Sequence, residues 1–234
     1  MLKRFSWARG GRYLDLGCGP GENLAGLAVH FDYSLGLDCS PLALSLARQA
    51  NPGLQFVQGD VNQLERLFQA NSFRLISDFN VLCHRWVSSE KETIRAIYAL
   101  LEEGGVVVMT EPVYNILYRE ADELTMTSRR FGSGELRGWL QEAGFVVRQE
   151  TMFNAAPLPL ALLMAGWYRF RKRFGIVGGR DGHRGEDQLG GKWGQWLMTG
   201  VCRVEYGWIR LFGRLPLGLT CLIVAQKGGE RTGD

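Results

Sequence analysis

Along the first two thirds of the chain, compact apolar runs alternate with longer stretches in which apolar residues recur at helical spacing. The runs at 12–17, 33–38, 54–59 and 73–79 have the length of buried strands, and the periodic stretches at 21–31, 41–50 and 62–70 have the repeat of helices. This alternation predicts an α/β domain in which crossover helices join parallel strands. Ser40 before Pro41 suits a helix start, and Asn51-Pro52-Gly53 supplies a stop and a turn. Further along, 89–102 reads as a helix, Glu103-Gly104-Gly105 as its end, and Val106-Val107-Val108-Met109-Thr110-Glu111 as a strand buried on both faces. A helix at 134–143, a sixth strand at 144–150 entered through glycine, and a seventh at 219–225 complete the pattern.

Between the last two strands lies a different kind of sequence. Residues 1–153 and 214–234 read as one domain, and 154–213 as a helical cap inserted into it. The insertion opens with the apolar run 155–168 and turns basic at Arg169, Arg171, Lys172 and Arg173. Residues 155–214 hold ten Lys or Arg against four acids, a charge of +6, which leaves −3 for the rest of a chain whose formal total is +3. The run is shorter than the roughly 20 residues that span a bilayer. Two readings stand. In one, 155–173 is an interfacial helix with Trp167 and Tyr168 at headgroup depth and the cations toward anionic lipid. In the other, it is a cap helix packed on the sheet domain with solvated arginines. The seven glycines between 175 and 191 then mark a loop between two cap helices.

Composition narrows the classes. A hydrophobic fraction of 46% over 234 residues suits a folded domain with a substantial core. The five cysteines form neither a C-x-x-C pair nor a Cys/His cluster, which predicts no metal site and no disulfide framework and suits a reducing cytoplasm. The N-terminal residues lack the apolar core of a signal peptide, so a cytoplasmic location is expected, peripheral to the inner face of a membrane if the interfacial reading holds. A net charge of +3 gives no reason to infer nucleic-acid binding.

The chemistry is concentrated where the first strand ends. Tyr13-Leu14-Asp15-Leu16-Gly17-Cys18-Gly19-Pro20-Gly21-Glu22 runs from a strand into a glycine-rich turn and a helix, a backbone cradle for a nucleotide. The dinucleotide spacing G-x-G-x-x-G requires glycine where this chain has Glu22. Two more acids close later strands: Asp38, 21 positions after Gly17 and placed to accept ribose hydroxyls, and Asp60. Both also suit helix N-caps.

Asp-x-Gly-x-Gly-x-Gly followed by these two acids resembles the class I S-adenosylmethionine-dependent methyltransferases. The resemblance covers about 12–153 and 214–227. It implies a Rossmann-like seven-stranded sheet of order 3-2-1-4-5-7-6, with the last strand antiparallel. It also implies S-adenosyl-L-methionine as cofactor. Asp15, Gly17, Cys18, Gly19 and Gly21 would then shape the turn beside the methionine portion. Asp38 would hold the ribose, Asp60 with Val61 the adenine, Cys39 would also border the cofactor, and Asn80 would lie in the loop under the transferring methyl. His84 is a candidate general base, or else packs against Trp86. Glu111, Tyr114 and Tyr118 are expected at the same mouth, as chemistry or as a loop acid and packing rings. His30 and His183 read as surface residues.

The expected activity is methyl transfer to oxygen or carbon of a small hydrophobic acceptor such as a polyketide, phenol, quinone or isoprenoid-like lipid. This follows from the aromatic cap residues Trp167, Tyr168, Phe170, Trp193, Trp196 and Trp208. The rivals are a membrane-surface lipid or quinone methyltransferase and a non-catalytic donor-binding regulator or partner subunit. Oligomeric state is left open.

Overall fold

The computed structural model describes residues 10–175 and 192–228, with 192–198 described by backbone alone. The nine N-terminal residues, most of the glycine-rich loop with His183, and the side chains of Trp193 and Trp196 lie outside the described residues.

The chain opens with β1 (Arg12–Leu16), α1 (Glu22–Ala28), β2 (Tyr33–Asp38), α2 (Pro41–Ala50) and β3 (Gln55–Gln58). A 3-10 turn at Val61–Gln63 leads into α3 (Leu64–Leu67), and β4 (Phe73–Phe79) and α4 (Glu90–Leu100) follow. β5 (Leu101–Pro112) is succeeded by a 3-10 turn at Asn115–Leu117, α5 (Glu120–Leu124), α6 (Glu135–Glu142) and β6 (Phe145–Phe153). The inserted helices α7 (Leu158–Arg173) and α8 (Lys192–Phe212) precede β7 (Thr220–Lys227).

The sheet has seven strands in the order β3-β2-β1-β4-β5-β7-β6. β1 pairs in parallel with β2 and β4, and β7 runs antiparallel between β5 and β6. This is the expected order and direction. Because each parallel strand returns through a crossover, the strand order reverses direction at β1 and β4, and the crevice at their carboxyl ends is where such sheets bind ligands. Alternation along β1 assigns its two faces. Leu14 and Leu16 join Ile76, Val107 and Met109 under Ile94 and Ile97 of α4 and Leu140 of α6, whereas Tyr13, Leu75, Val106 and Val224 pack with Leu24 of α1.

Local chemistry sets the element ends. Ser40 Oγ accepts the Ala43 amide proton at 3.2 Å and Pro41 opens α2, as its sequence predicts. The helix expected at 62–70 is shorter, a 3-10 turn and one turn of α3, because Phe68 leaves the helical region to pack edge-on against Phe73. The helix expected at 89–102 ends at Leu100, since Leu101 already pairs with Phe73 in the sheet. Glu102–Gly105 form a bulge within β5, with Gly104 at φ +73. Buried Lys227 secures this corner by donating to the Leu101 carbonyl at 2.8 Å and to Asn71 at 2.7 Å.

Two helices, α7 and α8, occupy the described part of the segment between β6 and β7. α7 turns Ala161 and Ala165 inward and is anchored by polar contacts to the segment after β5. Tyr168 donates to Glu123 at 2.6 Å, Arg169 to the Ile116 carbonyl, and Arg171 pairs with Glu120 at 3.5 Å. Glu205 of α8 accepts the amide protons of Asn154, Ala155 and Ala156, at 2.8, 2.8 and 3.1 Å, and so ties α8 to the exit of β6. Part of the basic cluster is therefore structural rather than solvated.

Candidate functional site

The turn after β1 depends on left-handed backbone. Gly17, Gly19 and Gly21 sit at φ +58, +52 and +85, a region closed to most side chains. A Cβ on Gly17 would stand 2.5 Å from Val81 and one on Gly21 3.0 Å from Phe56, whereas one on Gly19 would meet nothing within 4 Å. The first and third glycines thus let the turn pack on the protein, and the second keeps open space beside its backbone. Cys18 is buried, donates its amide to the Leu37 carbonyl at 3.0 Å, and lays its sulfur over Gly36, where a Cβ would be 2.6 Å away. Burial pushes its thiol up to about 12, so this sulfur is packing and not a nucleophile.

Asp38 closes β2 beneath this turn. Its carboxylate accepts the Gly19 amide proton at 2.9 Å and that of Ser40 at 2.8 Å, so it fixes the glycine turn and keeps lone pairs for a further donor. Asp60 accepts the Asn62 backbone and side-chain protons at 2.9 and 2.7 Å, the N-cap geometry weighed from its sequence. Asn62 in turn donates to the Trp86 carbonyl at 2.8 Å, which joins the loops after β3 and β4.

Gly17, Asp38, Cys39, Gly59, Asp60 and Val61 line one side of a cleft of about 90 Å³, open to solvent; Phe79, Asn80, Val81, His84 and Trp86 line the other. Asn80 adopts φ +62 and donates its amide to the Thr110 carbonyl at 2.7 Å, which holds the start of the loop against β5. His84 stacks on Trp86 with ring centroids 4.3 Å apart, and its Nδ1 is buried without a partner. Burial lowers the His84 pKa, so the ring is neutral near pH 7. A larger depression of about 370 Å³ between α3 and α4 is lined by solvated side chains such as Glu65, Arg66 and Glu92 and shares only Val61 with the cleft.

Several expected site residues lie elsewhere. Asp15 is not at the cleft. It is buried on the α1 face of β1, accepts a proton from Ser77 Oγ, and leaves Oδ2 without a partner, so burial raises its carboxyl to about 7. Glu111 is also buried and does not reach the mouth. It accepts the Leu82 and Cys83 amide protons at 2.9 and 3.2 Å from beneath the loop. Asp78, which accepts the Val81 amide proton at 3.0 Å, lies beside it. Asp78 Oδ2 has no N–H donor, and burial next to a second carboxylate drives Glu111 well above the usual carboxylate range. One proton shared by the pair satisfies both acids. Tyr114 packs against the core with φ +65, and Tyr118 donates to the Thr127 carbonyl at 3.0 Å; neither lines the cleft. No cap residue does so among the described residues.

The sequence reading did not single out Gly59, Phe79 and Trp86 as lining or Asp78 as a second carboxylate under the loop. The acid pair was visible as two acids at the ends of adjacent β4 and β5. Their shared face appears only with the register Asp78↔Met109.

A doubly wound sheet with this order, a glycine turn after its first strand and acids closing the next two define a Rossmann-like α/β domain. The comparisons agree. Residues 14–105 match the family described as "Methyltransferase domain". A trans-aconitate 2-methyltransferase of Deinococcus radiodurans is 32% identical over 148 residues, 62% of this chain and 51% of that protein. The chain thus spans about half the length of that curated relative. An S-adenosylmethionine-dependent methyltransferase from Mesorhizobium loti superposes with TM-score 0.60 at 19% identity, covering 94% of this chain and 92% of that one. The cyclase SpnF superposes with TM-score 0.58 at 18% identity, covering 97% and 79%. The methyltransferase-domain match over 14–105 and the fold shared with S-adenosylmethionine-dependent methyltransferase structures support a class I S-adenosylmethionine-dependent methyltransferase.

Proposed function

We propose that the cleft binds S-adenosyl-L-methionine and that the chain transfers its methyl group to a small, largely apolar acceptor. The observation that carries the donor assignment is the open space at Gly19 above a carboxylate, Asp38, that already aligns the turn. Asp38 would accept ribose hydroxyl protons, Asp60 and Val61 would border the adenine, and Asn80 would face the donor's amino-acid end. The bound donor supplies a methyl group activated on a sulfonium, so the protein's principal task is alignment in a dry site. Among the candidate bases only His84 touches the cleft, and its neutral ring can take a proton from an acceptor hydroxyl.

The trans-aconitate relatives act, by their name, on a carboxylate acceptor. This cleft contains no Lys or Arg among its lining residues, and Phe79, Val81 and Trp86 face it instead, which favours an apolar acceptor over a polyanion. A second reading, donor binding without methyl transfer, is favoured by the burial of Glu111 and by the fold alone hosting a protein named as a cyclase.

The test is calorimetric titration of S-adenosylhomocysteine and, separately, NADH, followed by assay of labelled methyl transfer to phenols, quinones and trans-aconitate. The expected result is binding of the first ligand alone, a loss of about tenfold or more in Asp38→Ala, and transfer to a phenol or quinone. Binding without transfer to any acceptor supports the regulator, and no binding overturns the assignment.

A further inference from the structure

The cap carries its hydrophobicity on the wrong side for a helix that merely covers a domain. In α7 the buried positions are the small residues Ala161 and Ala165, at 4% and 0% exposure. The large residues Leu160, Leu163, Trp167, Phe170 and Phe174 follow at intervals of three and four, and so form one stripe along the helix. That stripe faces away from the alanines and is open, with Leu163 73% and Trp167 59% exposed. Its rings associate with each other: Trp167 stacks on Phe170 at 5.7 Å, and Phe170 lies tilted against Phe174 at 4.6 Å. α8 repeats the pattern, with Val204, Trp208 and Leu211 exposed in a stripe and Arg203 and Arg210 beside it. A row of large exposed apolar side chains along a helix face marks an interaction site.

Charge identifies the occupant. Arg173, Arg203, Arg210 and Arg214 form no ion pair among the described residues, and the acid within described α8, Glu205, is turned onto backbone amides. The exposed cap faces are therefore apolar and cationic. No helix among the described residues is long and apolar enough to cross a membrane. We infer that α7 and α8 dock the protein on an anionic lipid surface, with the leucines and rings at headgroup depth and the arginines on lipid phosphates. A protein partner or a second copy would also match the apolar stripe, but Arg173, Arg203, Arg210 and Arg214, without ion pairs among the described residues, favour an anionic lipid surface as the occupant.

This inference does not rest on methyl transfer, and its test reads binding alone. The full chain is floated with vesicles of phosphatidylcholine alone or with one third phosphatidylglycerol, at low and high salt. Leu163→Ser/Trp167→Ser and Arg203→Gln/Arg210→Gln variants are run alongside, with donor binding and melting temperature confirming that each folds. The expected result is flotation with anionic vesicles, weakened by salt and by the arginine variant. The apolar variant should bind about a hundredfold more weakly, roughly tenfold per side chain. Absence of flotation, equal binding to both lipids, or binding unaffected by the apolar variant overturns it. So does a dimer that the apolar variant dissociates, because the second copy would then own the stripe.

Discussion

At the scale of single residues, the glycine turn allows stability and binding to be separated. Gly17→Ala should lose about 2–4 kcal/mol of stability, because Ala dislikes φ +58 and its Cβ would press on Val81 at 2.5 Å. Gly19→Ala, at φ +52 with nothing within 4 Å, should lose only about 1 kcal/mol. Urea unfolding and calorimetry distinguish the two variants: if the space at Gly19 is for the donor, affinity for S-adenosylhomocysteine falls out of proportion to the small stability loss. Asp15 makes a prediction in pH. A carboxyl raised to about 7 in the folded state binds a proton that the unfolded chain releases near pH 4, so stability is lost as pH rises through that window. Asp15→Asn removes the titration. Its melting temperature relative to the parent chain should therefore climb between pH 5 and pH 8, and parallel melting curves at all pH values would show that Asp15 is ionised throughout. The glycines and the strand-end acids were legible because their spacing is local. Whether an acid faces the cleft was not legible, since Asp15 and Glu111 are turned inward by strand parity and by the neighbours Ser77 and Asp78 across the sheet.

At the scale of elements, the sheet order and most strand and helix positions follow from periodicity and from the family resemblance, and α2 begins and ends where Ser40, Pro41 and Asn51 say it should. The failures are where tertiary packing overrides propensity: α3 yields to Phe68 packing on Phe73, and α4 yields to the pairing of Leu101. The orientation of α7 was the least legible feature, because a helix with leucines and rings on one face is ordinarily read as packing that face inward. Its orientation has a direct test in thermal or urea unfolding. Ala165→Leu should destabilise by about 1–3 kcal/mol, since it forces bulk into a filled contact. Leu163→Ala should stay within about 0.5 kcal/mol because that side chain is exposed. The reverse ranking would mean that the leucine stripe is the packed face.

At the scale of the whole molecule, the sheet domain holds every lining residue of the cleft, while the cap joins it through a few polar contacts and the alanine face of α7. Donor binding and cap placement should then be separable functions of one chain. Glu205 is the residue that fixes cap placement, since one carboxylate accepts three amide protons at the point where β6 gives way to the insertion. Glu205→Ala removes these charge-assisted bonds and leaves three donors to water or to nothing, a loss of about 2 kcal/mol in the local stability of the cap. The amides of Asn154 and Ala155 should exchange hydrogen about tenfold faster or more, while S-adenosylhomocysteine affinity stays within about twofold of the parent, because among the described residues α8 lines no part of the cleft. Hydrogen exchange and calorimetry on the same preparation check both. If donor affinity instead falls with the faster exchange, the cap is part of the donor site and the division into a binding domain and an independent docking cap fails.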